Sequence, residues 1–189
     1  MGKRHLSKAE LLRKIKDTQM LKKSSDKSPF TGLATICNYT LWKEEKWYQK
    51  KLAEYNQAVL KYHNNLDAGT VSLEDMSERL WNKADFKVEY VPYTEADIRV
   101  SRKNSFLYEM EKKTMEANNT INEMSTRYLL IHFNVLMDMG YGKTRLERNK
   151  DAINKWLTTL TEADGVGVMD LHKELAEDAG IYVEMPNFR

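Results

Sequence analysis

Apolar residues recur along most of this chain at spacings of three and four, the mark of amphipathic helices. The pattern is densest in Arg127–Leu160. There Tyr128, Leu129, Leu130, Ile131, Phe133, Val135 and Leu136 predict one helix. Leu146, Ile153, Trp156, Leu157 and Leu160 predict a second, with Gly140-Tyr141-Gly142 as the hinge between them. Taken from the N-terminus, Ser7 caps a helix bearing Leu11, Leu12, Ile15 and Met20, and Ser24–Gly32 reads as a loop. A long helix follows from about Leu33 to Leu66, ended by Asp67-Ala68-Gly69. Ser72 and Asp75 form a capping-box pair ahead of Leu73, Met76 and Leu80. Phe86–Val91 alternates as a short strand before Pro92. Thr94 opens a helical stretch through Phe106, Leu107, Met110 and Met115, with Asn118-Asn119 as a break or bend. Val168, Leu171 and Leu175 mark a further helix stopped by Gly180, and Ile181–Met185 reads as a second strand.

This order repeats. Shifted by 94, Leu52, Ala58, Lys61 and Leu66 fall on Leu146, Ala152, Lys155 and Leu160, while Trp47, Lys51, Val59 and Tyr62 fall on Tyr141, Arg145, Ile153 and Trp156. Shifted by 95, Ala68, Val71, Asp75, Leu80, Ala84, Val88 and Glu89 meet identical residues. Together these make eleven identities over residues 47–91. Leu11, Leu12, Ile15 and Met20 align in the same way with Phe106, Leu107, Met110 and Met115. The expected fold is mainly α: two pseudo-repeated helix-helix-helix-strand modules, residues 1–93 and 94–189, whose two strands pair as a minor β element. Shared helical periodicity without common ancestry is the competing explanation. The copies differ at the hinge, where Lys46-Trp47-Tyr48 replaces Gly-Tyr-Gly and predicts one continuous helix.

Gly140-Tyr-Gly-Lys-Thr144 invites comparison with a phosphate-binding loop. Such a loop needs a glycine at 137, where Met stands, and a preceding strand, where the pattern is helical. The glycines are better read as a left-handed helix stop and a fresh start. Lys143, Arg145 and Arg148 then lie on the first turns of a helix, where the dipole disfavours cations, so a partner is one reason for their presence. The run Asp138-Met-Gly-Tyr-Gly-Lys-Thr-Arg-Leu-Glu-Arg148 resembles a segment of small phage and prophage proteins of Gram-positive bacteria. In these a helix ends in an acid followed by Gly-aromatic-Gly-Lys-x-Arg-Leu. Arg4–Arg13 is similar in character, and the resemblance covers about a third of the chain. It implies a phage context and no catalytic residues.

Composition narrows the rest. With 41% hydrophobic and 31% charged residues, the chain suits a soluble helical protein. A single cysteine, Cys37, excludes an intramolecular disulfide framework and fits a reducing compartment. No apolar run approaches the ~20 residues of a membrane span, so a cytoplasmic place in the host cell is expected. The net charge of +2 hides an asymmetry. Residues 1–30 carry nine Lys/Arg against three acids, leaving the remainder mildly acidic. Lys14, Lys16, Lys22 and Lys23 join Lys143, Arg145 and Arg148 as candidate partner-binding residues for nucleic acid or an acidic protein surface, including that of the chain itself, with a simply solvated helix face as the commoner explanation of such residues.

Catalytic signals are sparse. His5, His63, His132 and His172 have no metal-ligand spacing, and Cys37 has no second cysteine. His132 falls on an apolar helix face, the usual setting of a hydrogen-bonded core histidine. Trp42, Trp47, Tyr48 and Tyr55 near Lys43, Lys46, Lys50 and Lys51 suit core packing, a protein interface or a base-stacking surface. The resulting expectation is a non-enzymatic, cofactor-free binding protein encoded by a phage. Its most concrete form is an inhibitor of a bacterial defence system, an anti-CRISPR-like protein acting on a Cas effector or its nucleic-acid complex. A DNA- or RNA-binding accessory protein of replication or regulation is the alternative, and a metal-dependent nuclease a third class.

Overall fold

Leu33 to Leu41 are nine consecutive residues buried without a polar face. A helix closed to solvent all round must sit inside the protein, and α1 (Pro29–Glu45) does. In the computed structural model, which describes residues 29–89, 93–94, 97–98, 105–162 and 167–183, five further helices follow. They are α2 (Gln49–Asp67), α3 (Leu73–Ala84), α4 (Ser105–Asp138), α5 (Lys143–Glu162) and α6 (Val168–Asp178). The polar residues of α1 tolerate burial because they bond back to carbonyls one turn earlier: Thr35 to Thr31 at 2.8 Å, Thr40 to Ile36 at 2.8 Å and Asn38 to Ala34 at 2.9 Å.

The packing crosses the chain. α1 lies against α4, α5 and α6, while α4 lies against α1, α2 and α3. α1 is thus flanked by α5 and α6 of the other half, and α4 by α2 and α3. One hydrophobic core results, drawing on Leu41, Tyr55 and Leu80 from the first half and Phe133, Leu146 and Leu175 from the second. The buried part of α4 begins at Tyr128. No helix among the described residues is long and apolar enough to cross a membrane.

The helix boundaries keep the spacing seen in the sequence. α2 and α5 start 94 residues apart, and α3 and α6 start 95 apart. Contacts keep it too. Arg79 of α3 pairs with Asp138 of α4, and 95 residues away from each, Glu174 of α6 pairs with Lys43 of α1 with the charges exchanged. Both carboxylates also accept a tyrosine hydroxyl at 2.6 Å, from Tyr62 and Tyr39 respectively.

Four expectations change. The long helix from Leu33 to Leu66 is two helices: Lys46 takes a left-handed φ of 56° and the chain turns at 46–48. The break is tertiary in origin, since the turn buries Trp47 against Tyr55 and Tyr141, with ring centroids 6.2 and 5.9 Å away. Ser24–Gly32 is not loop to its end, because α1 begins at Pro29, whose missing amide costs nothing at a helix start. Asn118-Asn119 does not break α4. Instead the Asn119 side chain accepts from the Tyr93 amide at 2.7 Å and donates to its carbonyl at 2.8 Å, docking the incoming chain.

The fourth change concerns the strands. Among the described residues there is none, so the paired β element of 86–91 with 181–185 is not formed by residues 86–89 and 181–183. The alternation was real: Phe86, Ile181 and Val183 are buried, while Lys87 and Tyr182 face out. An extended segment lying on a hydrophobic surface needs that pattern without any ladder. Its first amide is already used, Phe86 bonding Leu80 at 3.4 Å and Ile181 bonding Leu175 at 3.1 Å. The capping box at Ser72 and Asp75 is present, both bonds being 3.0 Å.

Candidate functional site

The two turns that open α2 and α5 meet through Trp47 and Tyr141, both buried. Each ring carries a cation on its outer face. Lys51 Nζ stands 4.2 Å from the Trp47 ring centre, and the Arg145 guanidinium 3.8 Å from that of Tyr141. Gly140 makes the second turn possible with φ 87°, and the Tyr141 amide bonds the Leu136 carbonyl at 3.0 Å, a Schellman ending. The hinge reading of Gly140 therefore holds. Gly142 starts α5 by offering its carbonyl to Arg145 and Leu146, both at 3.1 Å.

Lys143, Arg145 and Arg148 project from the start of α5 and find carboxylates from the first half of the chain. Lys143 donates to Asp85 at 2.5 Å. Arg145 and Arg148 both donate to Glu45, at 2.9 and 2.6 Å. The Glu45 side chain is only 5% exposed, whereas both guanidiniums reach solvent. Burial works to raise the Glu45 pKa, but the two arginine bonds outweigh it and hold the carboxyl below its usual range. One sequestered carboxylate thus fixes two arginines and leaves several of their donors pointing outward. Lys14, Lys16, Lys22 and Lys23, the other expected partner-binding residues, lie outside the described residues.

Glu45 and Asp85 hold the candidate cations, although the sequence reads Glu45 only as a surface carboxylate paired with nearby lysines and does not single out Asp85. Their partners lie 58 to 103 residues away, and no local spacing signals that. Of the aromatic run, Trp47 and Tyr55 are core and Trp42 packs partly against it, with Lys43 Nζ 4.0 Å from its ring centre. Tyr48 alone is fully turned to solvent.

His132 has a different setting. His132 is completely buried and bonds the Tyr55 hydroxyl at 2.6 Å through Nδ1 and Asn149 Oδ1 at 2.7 Å through Nε2. The Asn149 oxygen accepts only, so Nε2 carries the proton and Nδ1 accepts from Tyr55. Desolvation pushes the imidazole pKa down to about 4, against a smaller opposing effect of Asn149. A neutral, enclosed ring with both nitrogens engaged holds a core together and cannot reach a substrate. Cys37 is likewise buried, its thiol pushed far up by desolvation. Among the described residues no three His, Cys, Asp or Glu converge as a metal site. No family model matches the chain, and neither a curated protein nor a solved structure matches it significantly.

Proposed function

We propose that this is a phage-encoded, non-enzymatic binding protein that acts by occupying a partner. Its most concrete form is an inhibitor of a bacterial defence system, anti-CRISPR-like and directed at a Cas effector in the host cytoplasm. The phage context comes from the sequence resemblance. The observation that carries the binding reading is the arginine pair on Glu45. A guanidinium already held in place loses less freedom on contact, so its outward donors suit an acidic surface on a partner protein. The same reading takes the chain as two pseudo-repeated helix-helix-helix modules, 1–93 and 94–189, supported by the recurring 94- and 95-residue spacing of boundaries and contacts.

The test is a tagged pull-down from bacteria carrying the effector, with and without nuclease. A stoichiometric complex that survives nuclease is expected. Lys143→Ala with Arg148→Ala leaves Arg145 on Glu45 and should weaken the complex by about tenfold, with thermal stability little changed. Loss of every protein partner on nuclease treatment, or an unaltered affinity in the double variant, overturns this reading.

A further inference from the structure

The turn Lys46-Trp47-Tyr48-Gln49-Lys50-Lys51 contains three cations and no acid. Its conformation separates neighbours sharply. Trp47 is buried, and Tyr48, on extended backbone at φ −97° and ψ 175°, is 73% exposed. Tyr48 is the N-cap of α2 and makes no capping bond. Ser, Thr, Asp or Asn at that position would satisfy a helix amide, so folding alone favours a different residue there.

A second exposed aromatic belongs to the same region. Gln49 Nε2 donates to the Gly180 carbonyl at 3.3 Å, and a Cβ on Gly180 would come within 3.2 Å of that nitrogen. The contact ties this turn to the one that ends α6. Two residues further on, Tyr182 is 72% exposed, turned outward because its neighbours Ile181 and Val183 are buried. Lys46 and Lys50 form no ion pair with any described residue, and Lys51 lies over Trp47. Of the nearby acids, Glu45 is taken by the arginines, while Glu44, Glu54 and Asp178 are exposed. With Arg145 and Arg148 counted beside Lys46, Lys50 and Lys51, five cations stand against these four acids.

We propose that this surface binds single-stranded nucleic acid, with bases stacking on Tyr48 and Tyr182 and the lysines meeting phosphates. Exposed aromatic rings among flexible cations are what an unpaired strand requires. Inside a duplex the base faces are already stacked and out of reach. A protein partner fits less well, because interface cores are depleted of lysine and Tyr48 stands in the chain among Lys46, Gln49, Lys50 and Lys51. The inference does not depend on the inhibitor reading, whose residues Arg145 and Arg148 stay unchanged in its test.

That test uses the full chain and a fluorescein-labelled dT20 oligonucleotide, with binding followed by anisotropy at several salt concentrations. Wild type is expected to bind dT20 in preference to a duplex of equal length. Tyr48→Ala with Tyr182→Ala, which alters no charge, is expected to weaken binding by about tenfold or more. Lys46→Gln with Lys50→Gln should reduce the slope of log affinity against log salt by about 1.4. Circular dichroism melts establish that each variant is folded. Absence of binding overturns the inference. So does binding that ignores the tyrosines or favours duplex, which would place the contact on the basic N-terminal residues instead.

Discussion

His132 shows what one buried residue does to the whole protein's response to acid. Unfolded, it titrates near the ordinary histidine value of about 6.5; folded, burial holds it down to about 4. Between those values the unfolded chain binds more protons, so stability rises with pH. The contribution is complete above about pH 6.5 and is lost as the pH falls toward 4, amounting to about 3 kcal/mol at most. His63, whose pKa is also lowered chiefly by desolvation, acts in the same direction. The depressed carboxyls of Glu45 and Asp138 add their loss at lower pH, on passing down through their folded values. Urea unfolding at pH 7 and pH 4.5 is expected to show the drop. His132→Gln can still accept from Tyr55 and donate to Asn149, and it should be less pH-sensitive than wild type. An equal slope in that variant would assign the effect to other groups. The sequence marked His132 as a core histidine by its apolar neighbours. Its partner Tyr55, 77 residues away, could not be read there.

At the scale of elements, four helix ends use one device. Lys46, Asp85, Gly140 and Gly180 are left-handed, and the next residue in each case, Trp47, Phe86, Tyr141 or Ile181, turns back into the core. Two of the four were legible because glycine announces them. Lys46 was not, since a lysine before Trp-Tyr continues a helix by every local preference and only the burial of Trp47 forces the turn. The strain this implies is measurable. Lys46→Gly is expected to stabilise the protein by about 1 kcal/mol. Gly140→Ala should destabilise it by about 1–2 kcal/mol through backbone strain alone, because a Cβ there meets nothing within 4 Å. Chemical denaturation of both variants checks the pair, and opposite signs are the essential result. Asn118-Asn119 teaches the converse: weak helix formers were carried through a long helix once Asn119 gained Tyr93 as a docking partner.

On the scale of the molecule, the exchange of partners between the halves governs stability. α1 has its main contacts with α4, α5 and α6, all from beyond residue 98. Separated from them, it would keep only its contact with α2, made through Asn38 and Asn56, and expose most of Leu33–Leu41. Neither residues 1–98 nor residues 99–189 alone is therefore expected to unfold cooperatively on heating. An equimolar mixture of the two should recover helical signal and a cooperative melt by circular dichroism. A cooperative transition in either half alone would show that its core closes without the other.

The helical class, most helix boundaries, the Ser72 cap, the Gly140 stop and the spacing that relates the two halves all follow from the order of residues along the chain. These depend on periodicity and on local backbone chemistry, which nearby residues carry. Tertiary contacts were needed to end the helix at Lys46, to lay residues 86–89 and 181–183 along the core without a strand pairing, and to place Glu45 on Arg145 and Arg148. Each of those outcomes is set by contacts between residues far apart in the chain, and a single sequence records no such distances.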